Sequence, residues 1–157
     1  MTYSGKGLSA LKNRENKMIS LSDQQLASMI DYIRDSKDIL AFYIYGSYGT
    51  KYQTPLSDLD LAILPMPEAK LDLERELSIE VKLTEIGNSD HVNMINLANV
   101  PLTLQMKVLE QGCLLYCADE ILLADFTEKV IKLFCDFAPD LEAIYKDYDA
   151  GLREVYL

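Results

Sequence analysis

Cysteine, histidine and basic residues are all scarce in this chain. Only three cysteines and one histidine stand among its 157 residues. An odd and small set of thiols excludes a disulfide framework, and beside a single imidazole it excludes a structural zinc site. Lysine and arginine number 15 against 25 aspartates and glutamates, so the net charge is −10 and the pI about 4.5. A field of that sign repels phosphate backbones, which makes DNA or RNA a poor fit as the main ligand. Long apolar runs are missing as well. Ile39 to Tyr45 falls far short of the ~20 residues of a membrane helix, and the N-terminus lacks the apolar stretch of a secretory signal. The expectation is a soluble, reduced, cytoplasmic protein with no membrane partner.

What is present is ordinary globular material. Apolar residues make up 49% and charged residues 25%, at a mean hydropathy of −0.01. The length fits one domain, since domains most often run to about 100–150 residues. Charge is unevenly spread. Residues 1–20 hold Lys6, Lys12, Arg14 and Lys17 against Glu15, a local +3 that leaves −13 for the remainder. This basic start reads either as a solvated terminus or as an arm that touches an acidic partner.

Hydrophobic periodicity orders the rest. Ser22 and Gln25 have capping-box spacing, and Leu21 and Leu26 fall at the positions of a hydrophobic staple. Leu26, Met29, Ile30 and Ile33 then predict an amphipathic helix that runs to about Lys37. Ile39–Tyr45 predicts a buried strand stopped by Gly46, and Asp58–Leu64 alternates as a second strand before Pro65 and Pro67. Glu68–Ile86 returns to helical spacing with two apolar stripes, Leu73, Leu77 and Val81 on one and Ile79, Leu83 and Ile86 on the other. Two stripes predict contact with more than one neighbour. His91–Leu97 is a third strand candidate and Leu102–Glu110 a short helix. Cys113–Cys117 is a strand or a buried turn, its thiols expected to be buried with that of Cys135. Two helices close the chain, the last carrying a tyrosine-rich stripe that includes Tyr145 and Tyr148. Such a stripe serves either the protein's own core or an interface. The fold class is therefore α/β (α+β), with a small mixed sheet and a helical C-terminal part. The expected division is a basic segment 1–20, a core 21–117 and C-terminal helices 118–157.

Two short signals carry chemistry. Gly46-Ser47 leaves a buried strand, where a glycine lets the backbone come close to a ligand and a helical turn would offer free N–H groups to phosphate. Gly-Ser is also a common way to leave any strand. Asp58 and Asp60 are stronger, because residues two apart in a strand share a face. Carboxylates about 6 Å apart repel by around 3 kcal/mol at an effective dielectric near 20. A divalent cation between them reverses that sign, and Mg²⁺ favours one or two carboxylates together with substrate phosphates.

Taken together the chain reads Gly46-Ser47, ten residues, then Asp58-Leu59-Asp60. Four such matches arise by chance in roughly one start in fifty thousand. This pattern resembles that of the DNA-polymerase-β-like nucleotidyltransferases. Size and element order resemble the minimal nucleotidyltransferases (MNT) that act as antitoxins beside HEPN ribonuclease toxins. The resemblance implies a nucleotidyltransferase fold in which Gly46 and Ser47 hold the triphosphate of ATP and Asp58 and Asp60 hold Mg²⁺. It implies Lys51 in place of the arginine that often follows the Gly-Ser pair, with its charge but not its fork. It further implies a helical HEPN toxin as partner in a hetero-oligomer, and transfer of AMP to a toxin hydroxyl, a tyrosine in the expected case. The family's third carboxylate opens a strand that here reads Val92-Asn93-Met94-Ile95-Asn96-Leu97. Asn93 stands where an aspartate is expected, and an amide cannot accept the proton of an attacking hydroxyl. Asp90 has the opposite facing, whereas His91 shares parity with Asn93. The alternative is thus a nucleotidyltransferase fold that neutralises its partner by binding alone.

Overall fold

The computed structural model describes residues 20–137. Strands β1 (Ile39–Tyr45), β2 (Leu59–Pro65), β3 (Val92–Asn96) and β4 (Cys113–Cys117) form one sheet in the order β3-β2-β1-β4. β1 is antiparallel to both β2 and β4, and β2 is parallel to β3. The sheet is therefore mixed, as expected. Helices α1 (Asp23–Asp35), α2 (Leu73–Gly87) and α3 (Leu102–Gln111) precede a fourth, α4, which spans residues 120–137. The expected final helix, with Tyr145 and Tyr148, and residues 1–19 of the basic segment 1–20 lie outside the described residues.

Local chemistry sets most of the boundaries. The Ser22 side chain accepts from the Gln25 N–H while Gln25 reaches back to Ser22 N, so the capping box forms. Leu21 is buried and packs with Leu26 in the same cluster, which is the staple. α2 begins five residues later than the periodicity predicts, because Asp72 caps it by accepting from the Arg75 N–H after the proline-bearing stretch. It ends at Asn88 in the left-handed conformation, which asparagine tolerates. Arg75 then grips Asp38 through two hydrogen bonds of 2.9 and 3.1 Å, fixing the start of α2 beside the entry to β1.

Two apolar layers sandwich the sheet. On the first face Phe42, Ile44, Leu59, Leu61, Ile63, Val92 and Met94 pack against Met29 and Ile33 of α1 and Ile79 and Leu83 of α2. On the second face Tyr43, Ala62, Leu64 and Leu97 pack against Val108 of α3 and Leu122 and Phe126 of α4. A register irregularity between Ile39 and Ala41 lets both Leu40 and Ala41 join the second layer. Two expectations are corrected here. Leu73, Leu77 and Val81 are 72%, 50% and 56% exposed, so only the Ile79–Leu83 stripe of α2 is buried. The thiols of Cys113 and Cys135 are exposed and that of Cys117 half-buried, since β4 is a sheet edge and Cys135 lies on the outer side of α4. No described helix is long and apolar enough to cross a membrane.

Candidate active site

Alternation along β2 decides which carboxylate goes where. Leu59, Leu61 and Ile63 turn into the first layer, so Asp60 is left on the second face with Ala62 and Leu64. Asp58 lies one residue ahead of the strand, exposed, and close enough for its charge to act on Asp60. Asp60 is half-buried, between Tyr45 on β1 and Asn93 on β3, its register partners on either side. Asn93 is exposed. Three separate chain segments thus meet on one face at one end of the sheet.

Gly46 adds a fourth contact. It has φ +78°, and a Cβ there would collide with Oδ2 of Asp60. Only glycine lets the backbone pass this close to the carboxylate while holding a left-handed conformation. Beyond it the chain makes a turn in which Thr50 N–H and Thr50 Oγ1 both donate to the Ser47 carbonyl; no helix follows, unlike the expected helical turn. Tyr48 anchors the loop instead, its hydroxyl accepting from Leu21 N–H at 2.9 Å and its ring packing on the first layer. Ser47 is half-buried beside it. Lys51 is exposed, with its ammonium 5.1 Å from the centre of the Tyr52 ring and no ion pair to either carboxylate among the described residues.

The electrostatics record the crowding of charge. Burial pushes the Asp60 carboxyl above the usual range and Asp58 pushes it further, while the Asn93 hydrogen bond and the Lys107 charge pull it back. Burial and then Asp60 push the Tyr45 hydroxyl up to about 12, so it is a neutral donor at physiological pH. Sequence reasoning missed both Tyr45 and Lys107. The alternation of β1 could have found the first; nothing local points to the second. His91 is placed against Asp58, Nδ1 to Oδ1 at 3.5 Å, by a backbone bond from Leu59 N to the His91 carbonyl. A cleft of about 630 Å³ lies near the far end of the second face, lined by Leu40, Leu64, Met66, Leu122 and Phe126, and it contains neither aspartate.

Residues 27–121 match the family model for polymerase beta nucleotidyltransferases. The chain belongs to that family. Among solved structures it is similar to a tri-AMPylated Shewanella oneidensis HEPN toxin in complex with an MNT antitoxin. That match has 23% identity over 82% of this chain and 98% of the other, with a TM-score of 0.64. It is similar also to a toxin–antitoxin with AMP-PNP, at 24% identity over 82% and 98%, TM-score 0.64. The MntA–HepT toxin–antitoxin gives 23% over 81% and 98%, TM-score 0.62. Likeness at this identity establishes the nucleotidyltransferase fold. No curated protein matches the chain in sequence.

Proposed function

We propose that this nucleotidyltransferase is an MNT-type antitoxin that binds a HEPN toxin and transfers AMP from Mg-ATP to a toxin hydroxyl, a tyrosine in the favoured case, in the cytoplasm. The observation that carries the reading is the approach of Gly46 and Asn93 to Asp60 at one end of the sheet, with the charge of Asp58 acting on it, in a fold whose solved relatives include an AMPylated HEPN toxin bound to its antitoxin. Nucleotide use is supported by the AMP-PNP complex of another relative.

The donor set fits Mg²⁺. Two carboxylates that repel each other, one of them held above its ordinary pKa by burial, gain from a divalent cation and leave its remaining positions for phosphate oxygens. When bound, Mg²⁺ supplies charge neutralisation and a template for the phosphates. Asp58 and Asp60 would hold it. Asn93 lies across from Asp60 on the neighbouring strand, and Gly46 with Ser47 would give a phosphate close access to the backbone. In the transfer the acceptor oxygen bonds to the α-phosphorus as the bond to the bridging oxygen breaks, releasing pyrophosphate and the hydroxyl proton. No carboxylate stands at Asn93 to take that proton.

Asn93 also favours a second reading, a fold that silences the toxin by occupying it. Labelled AMP transfer to the co-expressed toxin separates the two, comparing native, Asp58→Ala and Asn93→Asp proteins. Label from the native protein that is lost in Asp58→Ala supports the enzyme. Because general-base help is worth roughly 10²–10⁴-fold, Asn93→Asp is expected to accelerate transfer within that range. Label only with Asn93→Asp supports the binding protein. Toxin complex formation with no label from any variant removes AMP transfer altogether.

A further inference from the structure

A single apolar side chain left in water is ordinary, but several in one helical row make a surface. α2 carries such a row. Leu73, Leu77 and Val81 recur every four residues and are all half exposed or more, while Ile79 and Leu83 on the other side are fully buried in the first layer.

Spacing sets what borders the row, because residues three and four apart are neighbours on a helix. Leu77 therefore has Leu73 and Val81 along the row and Glu74 and Glu80 on its two flanks. Neither flanking glutamate has an ion pair among the described residues. The cations of α2 are engaged elsewhere, Arg75 with Asp38 and Lys82 with Glu85. Both ends of the helix are also held. Arg75 ties its start to Asp38, and the Gln25 side chain donates to the Ile86 and Gly87 carbonyls at 3.2 and 3.4 Å. A surface fixed in advance loses little conformational freedom when it is covered.

Charge selects the occupant. A second copy laid along the row would set glutamates against glutamates, in a chain whose net charge is −10. A helix whose own apolar row is edged with lysine or arginine satisfies both demands, apolar contact along the row and opposite charge at its flanks.

We propose that the Leu73, Leu77 and Val81 row of α2 is the docking surface for such a basic-edged amphipathic helix, supplied by the toxin. The proposal rests on the antitoxin reading above. α2 covers the first face of the sheet whereas Asp60 lies on the second, so this contact leaves the carboxylate site accessible to nucleotide.

Calorimetry with the purified HEPN toxin and the full chain tests it. Glutamine forms helix as readily as leucine and better than valine, so Leu77→Gln/Val81→Gln removes the apolar contact and keeps the helix. This variant is expected to bind the toxin at least ~10-fold more weakly, the equivalent of one buried leucine. Its own melting temperature should stay within about 2 °C of native, as for an exposed site. Glu74→Lys/Glu80→Lys should also weaken the complex, by a factor that shrinks as salt is raised. A smaller loss from the glutamine variant, or no loss from charge reversal, overturns the proposal and leaves the antitoxin reading standing. A larger fall in melting temperature overturns it too, because the row is then covered by this chain's own residues. Sedimentation of the native chain alone as a dimer that the glutamine variant dissociates assigns the row to a second copy and has the same effect. A native chain that binds no toxin overturns the antitoxin reading, and this surface with it.

Discussion

The two faces of the sheet are built from the same four strands yet hold very different residues. The first is sealed: Phe42, Leu59, Leu61 and Ile63 have no exposed surface, and α1 and α2 cover them. The second is sealed only where α3 and α4 lie, over Tyr43, Ala62 and Leu64. At the Tyr45 end its positions go to Asp60, Asn93 and a phenol. Apolar burial is the main driving force of folding, at about 25 cal/mol per Å², and the first face is filled for that purpose. A half-buried carboxylate beside another carboxylate works against folding. The lesson is that chemistry here sits where one strand's alternation runs past the helix that would otherwise cover it.

That contrast can be broken from either side. On the sealed face Phe42→Ala should cost about 3–5 kcal/mol, a large share of a typical stability of about 5–15 kcal/mol, read as a drop in the urea midpoint. An unchanged midpoint would mean that the first layer is not the main core. Gly46→Ala should cost less stability, about 1–2 kcal/mol for a strained left-handed alanine, but should displace Asp60 and weaken Mg-ATP more than tenfold in calorimetry. The smallest effect has the opposite sign. Without metal, Asp60→Asn should raise the melting temperature by about 2–4 °C, because it removes a charge that burial and Asp58 both disfavour. The sign follows from the direction of the shift. A carboxyl with a raised folded pKa loses stability as pH rises through that value, so near neutrality the ionised Asp60 is a net cost. Magnesium should raise the melting temperature of the native protein and leave that of Asp60→Asn in place.

Strand and helix identities were legible because local periodicity encodes them, and Ile39–Tyr45 matches its strand to the residue. The start of α2 was less so. The helical spacing of Glu68–Ile86 continues through residues that Asp72 leaves outside the helix, since a cap is chosen by one side chain rather than by a pattern. The outward stripe Leu73, Leu77 and Val81 was misread for a related reason: periodicity reports a face but not whether anything covers it.

By itself the sequence determined the alternation of β2, and so the side on which Asp60 lies, and the glycine that can bend beside it. Spacing alone suffices there, because a strand repeats every two residues and a glycine carries its conformational freedom with it. Only the tertiary structure decided that Gly46 comes against Asp60 and that Asn93 stands across from it in a parallel pairing. Those neighbours lie 14 and 33 positions away from Asp60 in the chain. Register and helix docking bring them together, and both are set by burying Leu59, Leu61, Val92 and Val108 rather than by any property of the polar residues themselves.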